Sequence, residues 1–313
     1  MRAKIMLLSS SAQDEINAAY AEKILIDLSA AFDHTFSMRQ EKIGEKARAA
    51  DGESLTEKTI QACQDCQAVF VCDAGAEGVQ ELYDALNLPM LVRSFCVPEV
   101  LCGRHEKPVN LYVGSVFSMD EDTLRQAIHS AFSLAQEMDV RLCHAAPTGK
   151  SQADWAAAIR VQETMFPQVS ADALTAPDAI RGMISSPERM GLLLCPPYAG
   201  SIMLSAGTAL STHPGVIHDF AFDETIGVYA PVRPPDQEDV SPFAAALAVG
   251  KMLRCSLHLS KEAACLEAAL SNVIVGGWET RDDGGALTGM DVVDLIGEQI
   301  ATAGELMSKS GIE

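Results

Sequence analysis

The chain has 313 residues, of which 48% are hydrophobic and 21% charged, a composition that supports a large buried core and argues against disorder. Its 43 acidic residues outnumber its 23 basic ones, and a net charge of −20 repels phosphate backbones, so we expect no nucleic-acid partner. No apolar run approaches the roughly 18 to 20 residues of a membrane span, so we expect no membrane partner either.

Nine cysteines, an odd number, argue against a framework of disulfides and for reduced thiols. The apolar stretch Lys4–Leu8 is too short for the core of a signal peptide, and no small-residue cleavage site follows it. We therefore expect a first β-strand there and a cytoplasmic protein.

Short apolar runs that predict strands alternate with stretches of helical periodicity. In chain order the pattern predicts a strand at 4–8, a helix at 14–31, a strand at 34–39, a helix at 56–66, strands at 68–72, 88–93 and 109–113, a helix at 123–137, a strand at 140–143, helices at 155–165 and 176–184, a strand at 191–195, and helices at 243–257, 261–273 and 291–308. Strands separated by about 10 to 15 helical residues are typical of an α/β fold with a largely parallel sheet.

The helix predicted at 243–257 belongs to a longer pattern. Residues 241–257 read S-P-F-A-A-A-L-A-V-G-K-M-L-R-C-S-L and resemble the N-P-x-A-x-x-L-x-x-x-x-M-L-R-x-S-L helix of the isocitrate/isopropylmalate dehydrogenase family. Further on, T-R-D-D-G-G at 280–285 and T-G-M-D at 288–291 resemble the family's T-x-D-L-G-G and G-T-x-E-M elements. Weaker matches extend the resemblance over almost the whole chain.

The resemblance implies a two-lobed α/β fold like that of isopropylmalate dehydrogenase, with a mixed, largely parallel, twisted sheet. One lobe is expected to combine residues 1–89 and 213–313, and the other to span 90–212 and carry the dimer interface. Since the family works as a homodimer, we expect a homodimer, with the small and apolar residues of 201–211 at an isologous interface.

The resemblance also implies a chemistry. Family members oxidise a 2-hydroxy acid with NAD(P) and then decarboxylate the resulting keto acid. Magnesium held by aspartates polarises the ketone oxygen, a lysine and a tyrosine move protons, and arginines clamp the substrate carboxylates.

This chain departs from the family at nearly every position that performs this chemistry. Ser201 and Ser205 stand where the family has the two aspartates of G-D-I-L-S-D, and Pro177 stands at the aspartate of V-D-N-A-A. Ala145 replaces the lysine of V-D-K-A-N. Arg233 stands at the histidine of the adenosine loop H-G-S-A-P-D-I-A-G, where a solvated loop charge is the simpler interpretation.

The glycine loop of the family, G-D-G-I-G-P-E, is replaced by S-S-S-A-Q-D-E at 9–15. This change removes the glycines that let a backbone turn tightly beside a ligand. We therefore expect no cofactor, with NAD and magnesium bound only if the family activity persists.

Three polar residues remain candidates for binding a substrate. Arg93, kept from the family, could bind a carboxylate or form a salt bridge. His144 occupies the first residue of the lost lysine motif and fits either a catalytic histidine or a hydrogen-bonded core histidine. Asp178 could join Asp172 at a metal, although a solvated carboxylate at a helix end is the simpler interpretation.

A possible zinc set combines Cys63 and Cys66 with Cys102 and His105, which have the spacing of metal ligands. A redox C-x-x-C should follow a strand and open a helix, whereas this one closes a helix before a strand. Cysteines that act as small buried hydrophobes are the simpler interpretation.

The favoured function is that of a diverged, non-catalytic family member with a binding or regulatory role. Its partner would be a second copy, an active paralogue or a small carboxylate ligand. The alternatives are an enzyme of altered chemistry on a small carboxylate, and an NAD-dependent 2-hydroxy-acid dehydrogenase similar to 3-isopropylmalate dehydrogenase.

Overall fold

The computed structural model describes residues 1–11, 14–97, 99–101, 109–211, 213–234, 237, 239–277 and 286–310. The chain divides into two compact units, the first made of Met1–Leu86 and Glu224–Glu313 and the second of Asn87–Asp223. Both units alternate strands and helices, and the predicted α/β class with a mixed, largely parallel sheet is confirmed. No helix of the described residues is both long enough and apolar enough to cross a membrane.

Strands and helices follow one another along the described chain. In order they are β1 (Arg2–Ser9), α1 (Asp14–Phe32), β2 (Thr35–Lys42), α2 (Gly44–Asp51), α3 (Glu57–Gln64), β3 (Ala68–Val71), α4 (Val79–Ala85), β4 (Met90–Ser94), β5 (Leu111–Val116), α5 (Glu121–Glu137), β6 (Leu142–Ala145), α6 (Ser151–Met165), β7 (Ala171–Leu174), α7 (Ala176–Ser185), β8 (Gly191–Cys195), α8 (Pro197–Leu210), β9 (His218–Phe222), β10 (Gly227–Pro231), α9 (Pro242–Cys255), α10 (Ser260–Val275) and α11 (Gly289–Ser310).

The first unit is built on four parallel strands in the order β2-β1-β3-β10. All of β3 is buried, and so is β1 from Ile5 to Ser9, as expected of central strands that are covered on both faces. β2 is the edge strand and has no buried residue. Helix α1 packs against α9 and α11, and α10 packs against the same two helices.

The second unit is built on six strands in the order β9-β4-β5-β8-β6-β7. Strand β4 runs antiparallel to both of its neighbours, whereas the pairs from β5 to β7 are parallel. The unit reaches Asp223, beyond the expected boundary at 212, because β9 pairs with β4 and places Phe220 opposite Val92. This pairing makes the segment after 212 part of the second unit.

The sequence patterns missed strands β7, β9 and β10 and helices α2 and α4. Strands β9 and β10 have five residues each and are buried throughout, so they show neither alternation nor a long apolar run. Helices α2 and α4 begin without a side-chain cap, so no start signal marks them. Helix α3, by contrast, begins at Glu57, one residue after the predicted start. Its N-cap is Thr56, whose hydroxyl accepts a hydrogen bond from the backbone N–H of Thr59 at 3.2 Å.

Gly149 and Gly191 of the second unit both have a positive φ, but a side chain would meet neighbouring atoms only at Gly191. Gly191 begins β8 with φ +63°, and a methyl group there would lie 2.3 Å from the carbonyl oxygen of Arg141. Gly149 has φ +79° with nothing within 4 Å of the same position. We expect Gly149→Ala to lower the free energy of unfolding by the cost of the left-handed backbone, about 1–2 kcal/mol, and Gly191→Ala to lower it further. Urea denaturation of both variants measures the difference, and equal losses would contradict the steric argument.

Candidate functional site

Three charged side chains follow strands of the first unit at the edge where those strands end. Asp14 opens α1 after the end of β1, Asp73 follows β3, and Arg233 follows β10. Because β1, β3 and β10 are neighbouring parallel strands, their carboxyl ends lie at one edge of the sheet. This is the edge at which open α/β sheets bind ligands.

The guanidinium of Arg233 bridges the two carboxylates. Its Nη2 lies 2.8 Å from Oδ1 of Asp14 and 2.9 Å from Oδ2 of Asp73. The side chain of Asp14 is 1% exposed and also accepts hydrogen bonds from the hydroxyl of Ser10 and, at 3.4 Å, from the amide of Asn17. A buried carboxylate is tolerated only when it is paired and hydrogen-bonded in this way. Asp14, Asp73 and Arg233 are called the edge cluster below.

The edge cluster corrects the interpretation of Arg233 as a solvated loop charge, because carboxylates from two other segments hold its guanidinium. Arg233 stands at the histidine of the family's adenosine loop. Asp14 lies in the segment that replaces the family's glycine loop. The two segments that the resemblance compares with the family's cofactor loops are therefore joined by the ion pair between Asp14 and Arg233.

Arg93 is engaged in the second unit. Its Nε and Nη2 donate to the two carboxylate oxygens of Asp219 at 2.6 and 2.7 Å, and its Nη1 donates to the hydroxyl of Thr208 at 3.0 Å. Asp219 lies on the neighbouring strand β9, and its side chain is 3% exposed. The two-point geometry is the one by which arginine recognises carboxylates, and here the carboxylate belongs to the chain.

His144 lies on β6 and is buried. Its Nδ1 accepts a hydrogen bond from the indole Nε1 of Trp155 at 3.2 Å, since an indole N–H can only donate. Burial lowers the pKa of His144, so the imidazole is neutral at pH 7. Ala145, at the position of the family's lysine, is fully buried beside it and offers no proton.

Pro177 and Asp178 open helix α7. Pro177 lies in the first turn, where its missing N–H costs no helical hydrogen bond. The carboxylate of Asp178 accepts hydrogen bonds from the hydroxyl of Thr175 at 2.7 Å and from Arg181 at 2.9 Å, and Thr175 accepts one from the backbone N–H of Asp178. Asp178 is thus part of a helix cap, and Asp172 is engaged in a separate ion pair.

The hydroxyls that replace the family's aspartates are bonded within α8. Ser201 donates to the carbonyl oxygen of Tyr198, and Ser205 donates to that of Ser201, each at 2.9 Å. Mg²⁺ prefers carboxylate oxygens as protein ligands. Two neutral hydroxyls, with Pro177 at the third position, do not fit the family's magnesium.

The cysteine pair of the possible zinc set lies on and just after α3. Burial raises the pKa of the Cys63 thiol to about 12, and the Cys66 thiol donates to the carbonyl oxygen of Ala62 at 3.3 Å. Both side chains are buried, which favours their interpretation as small hydrophobic residues. Cys102 and His105 lie outside the described residues. Among the residues that are described, no three His, Cys, Asp or Glu side chains form a metal-binding group.

Known proteins resemble the chain over nearly its full length, although no family model matches it. It is 23% identical over 326 aligned residues to 3-isopropylmalate dehydrogenase of Listeria innocua, covering 89% of this chain and 93% of that protein. A β-decarboxylating dehydrogenase from Thermococcus kodakarensis, solved in its apo form, shares the fold with a TM-score of 0.80 at 14% identity, over 99% of both chains. Isocitrate dehydrogenase from Methylococcus capsulatus gives a TM-score of 0.77 at 16% identity, over 96% of this chain and 99% of that one.

These likenesses define the fold as that of the β-decarboxylating dehydrogenases. The predicted resemblance to the isocitrate/isopropylmalate dehydrogenase family is also confirmed, at an identity of 23% or less.

Sequence reasoning missed the carboxylates that hold the two arginines. Asp219 interrupts the apolar run H-D-F-A-F, and a lone acid in such a run signals a buried, paired charge. Asp73 directly follows the buried strand that ends at Val71 and Cys72, which is a similar signal. Asp14 carries no comparable mark, because an acid in the first turn of a helix is common at exposed sites too.

Arg233→Met removes the cation of the edge cluster and leaves Asp14 buried beside Asp73. We expect the free energy of unfolding to fall by about 3–5 kcal/mol, the range for breaking a buried ion pair. Arg181→Met is the matched control, because Arg181 and Asp178 form an exposed pair, and it should cost no more than about 1 kcal/mol. Urea denaturation at neutral pH measures both, and an equally small loss in the two variants would mean that the edge cluster contributes little.

Proposed function

We propose that the chain is a non-catalytic member of its family with a binding or regulatory role. The observation that carries this proposal is the edge cluster. Asp14 and Arg233 come from the two segments that replace the family's glycine and adenosine loops, and their charges are bonded to each other.

The charge at this edge is unfavourable for a dinucleotide. In dinucleotide-binding folds the N-terminus of the first helix receives the pyrophosphate, because its free N–H groups and its dipole favour an anion. Here Asp14 is the first residue of that helix and supplies a carboxylate of its own. A bound pyrophosphate would have to displace or repel that carboxylate.

The positions of the family's metal and proton chemistry support the same proposal. Ser201, Ser205 and Pro177 supply no carboxylate, and without a metal the developing enolate loses several kcal/mol of stabilisation. Ala145 cannot move a proton, which removes a further factor of roughly 10²–10⁴ in rate. His144, the polar side chain next to it, is buried and bonded to Trp155.

The purified protein is therefore expected to produce no NADH from isopropylmalate, isocitrate or tartrate in the presence of Mg²⁺ and NAD. The double variant Ser201→Asp, Ser205→Asp should stay inactive, because the lysine and the cofactor loops remain absent. A thermal-shift series with NAD(H), NADP(H), divalent metals and small di- and tricarboxylates measures binding directly, since a ligand of the native state raises the melting temperature. NADH production that EDTA abolishes would refute the proposal.

We also propose a cytoplasmic homodimer that forms through α8, as the family resemblance implies. Helix α8 leaves several apolar side chains in solvent, with Tyr198 82%, Ile202 41% and Leu210 50% exposed. The serines Ser201 and Ser205 lie on the same exposed face and are small enough for close helix approach across a twofold axis. All eight cysteines within the described residues are free, which supports a reducing compartment.

Ile202→Arg places a charge at the centre of the proposed dimer face. We expect the wild-type protein to sediment as a dimer at micromolar concentration and the variant to shift towards the monomer, because a charge without a partner is costly in an interface. Ile184→Arg on α7 is the matched control, since Ile184 is 60% exposed on another helix of the same unit, and it should remain dimeric. A monomeric wild-type protein would contradict the dimer.

A further inference from the structure

A groove runs between helices α5 and α6 on the second unit. It encloses about 430 Å³. The side chains that line it are Met119, Glu121, Leu124, Arg125, Asp154, Ala157, Ala158, Val161 and Gln162.

The two helices run in the same direction. His129 of α5 bonds to Gln162 of α6 at 3.0 Å, and the ring of Phe132, one turn further along α5, contacts Phe166 just after α6. The contacts therefore advance together along both helices. As a consequence, the N-terminal ends of α5 and α6 lie at the same end of the groove.

The groove face of α6 has the spacing of a helix-binding seam. Positions 154, 158, 161 and 165 recur at intervals of four, three and four residues, so they share one face of the helix. Asp154, Ala158 and Val161 line the groove, and Met165 continues the same helix face one turn beyond it. Val161 is 55% and Met165 59% exposed. From Asp154 to Met165 this face extends roughly 17 Å at 1.5 Å per residue, which is longer than a small ligand requires.

The end of the groove at which α5 and α6 begin carries exposed carboxylates. Glu121 opens α5 and Asp154 lies in the first turn of α6, so both carboxylates stand at the N-terminal end, and both are exposed. Arg125, which also lines the groove, is paired with Asp122 at 2.5 Å. Within the described part of the chain, no ion pair neutralises Glu121 or Asp154. That end of the groove is therefore acidic, in a chain whose net charge is −20.

We propose that this groove binds an amphipathic helix of a partner protein. The partner helix presents apolar residues at heptad spacing to Ala158, Val161 and Met165, and lysine or arginine to Glu121 and Asp154. An apolar seam with like charges at one end is the complement of such a helix, which docks by its i, i+3, i+4 and i+7 side chains. The inference does not depend on whether the chain catalyses a reaction.

Selection from a displayed library of helical peptides against the full-length protein tests the proposal. We expect the enriched peptides to combine an apolar heptad face with lysine or arginine near one end. Their affinity should fall by about tenfold or more for Val161→Asp, because the interface would then bury a charge without a partner. It should fall less for Glu121→Gln with Asp154→Asn, and it should weaken as salt is raised, since exposed charges are screened.

Ile184→Asp is the matched control, because it places the same charge on another exposed residue of the same unit and should leave peptide binding unchanged. Equal loss in Val161→Asp and Ile184→Asp would overturn the proposal, as would enriched peptides without basic residues or no enrichment at all. If Val161→Asp instead dissociates the protein into monomers and Ile184→Asp does not, the groove binds a second copy of the chain, and the proposed partner is wrong.

Discussion

The ion pair between Asp14 and Arg233 is the interaction that holds together the strand ends at one edge of the first unit. Asp14 is almost completely buried at the start of α1, where a carboxylate without a cation would be strongly destabilising. Arg233 reaches it from the end of β10 and contacts Asp73 at the same time. The cation thus joins three segments of the first unit at the edge where an open α/β sheet would otherwise receive a ligand.

In the second unit, too, polar side chains are hydrogen-bonded to partners within the chain. Arg93 is held at two points by Asp219, and His144, whose pKa is lowered by burial, accepts a hydrogen bond from Trp155. A polar group that is satisfied within the chain gains little from a ligand, because binding only exchanges one hydrogen bond for another. The fold of the β-decarboxylating dehydrogenases is therefore retained, while these polar side chains are bonded within the chain.

Two helices of the second unit expose apolar side chains to solvent. Helix α8 exposes Tyr198 and Ile202, and the groove beside α6 exposes Val161 and Met165. Scattered apolar residues on a surface are ordinary, but sets that follow one face of a helix are typical of protein–protein contacts. Both faces are therefore candidate surfaces for protein–protein contacts.

The sequence alone predicted the α/β class and the resemblance to the family, because strand runs, helix periodicity and the 241–257 motif are local patterns. It did not reveal the edge cluster, since Asp14 and Arg233 are 219 positions apart and no local pattern links an acid in a helix start to an arginine in a proline-rich loop. Pairing of distant segments was decided only by the tertiary structure, where the parallel strands β1, β3 and β10 bring their ends together and burial requires each charge to have a partner.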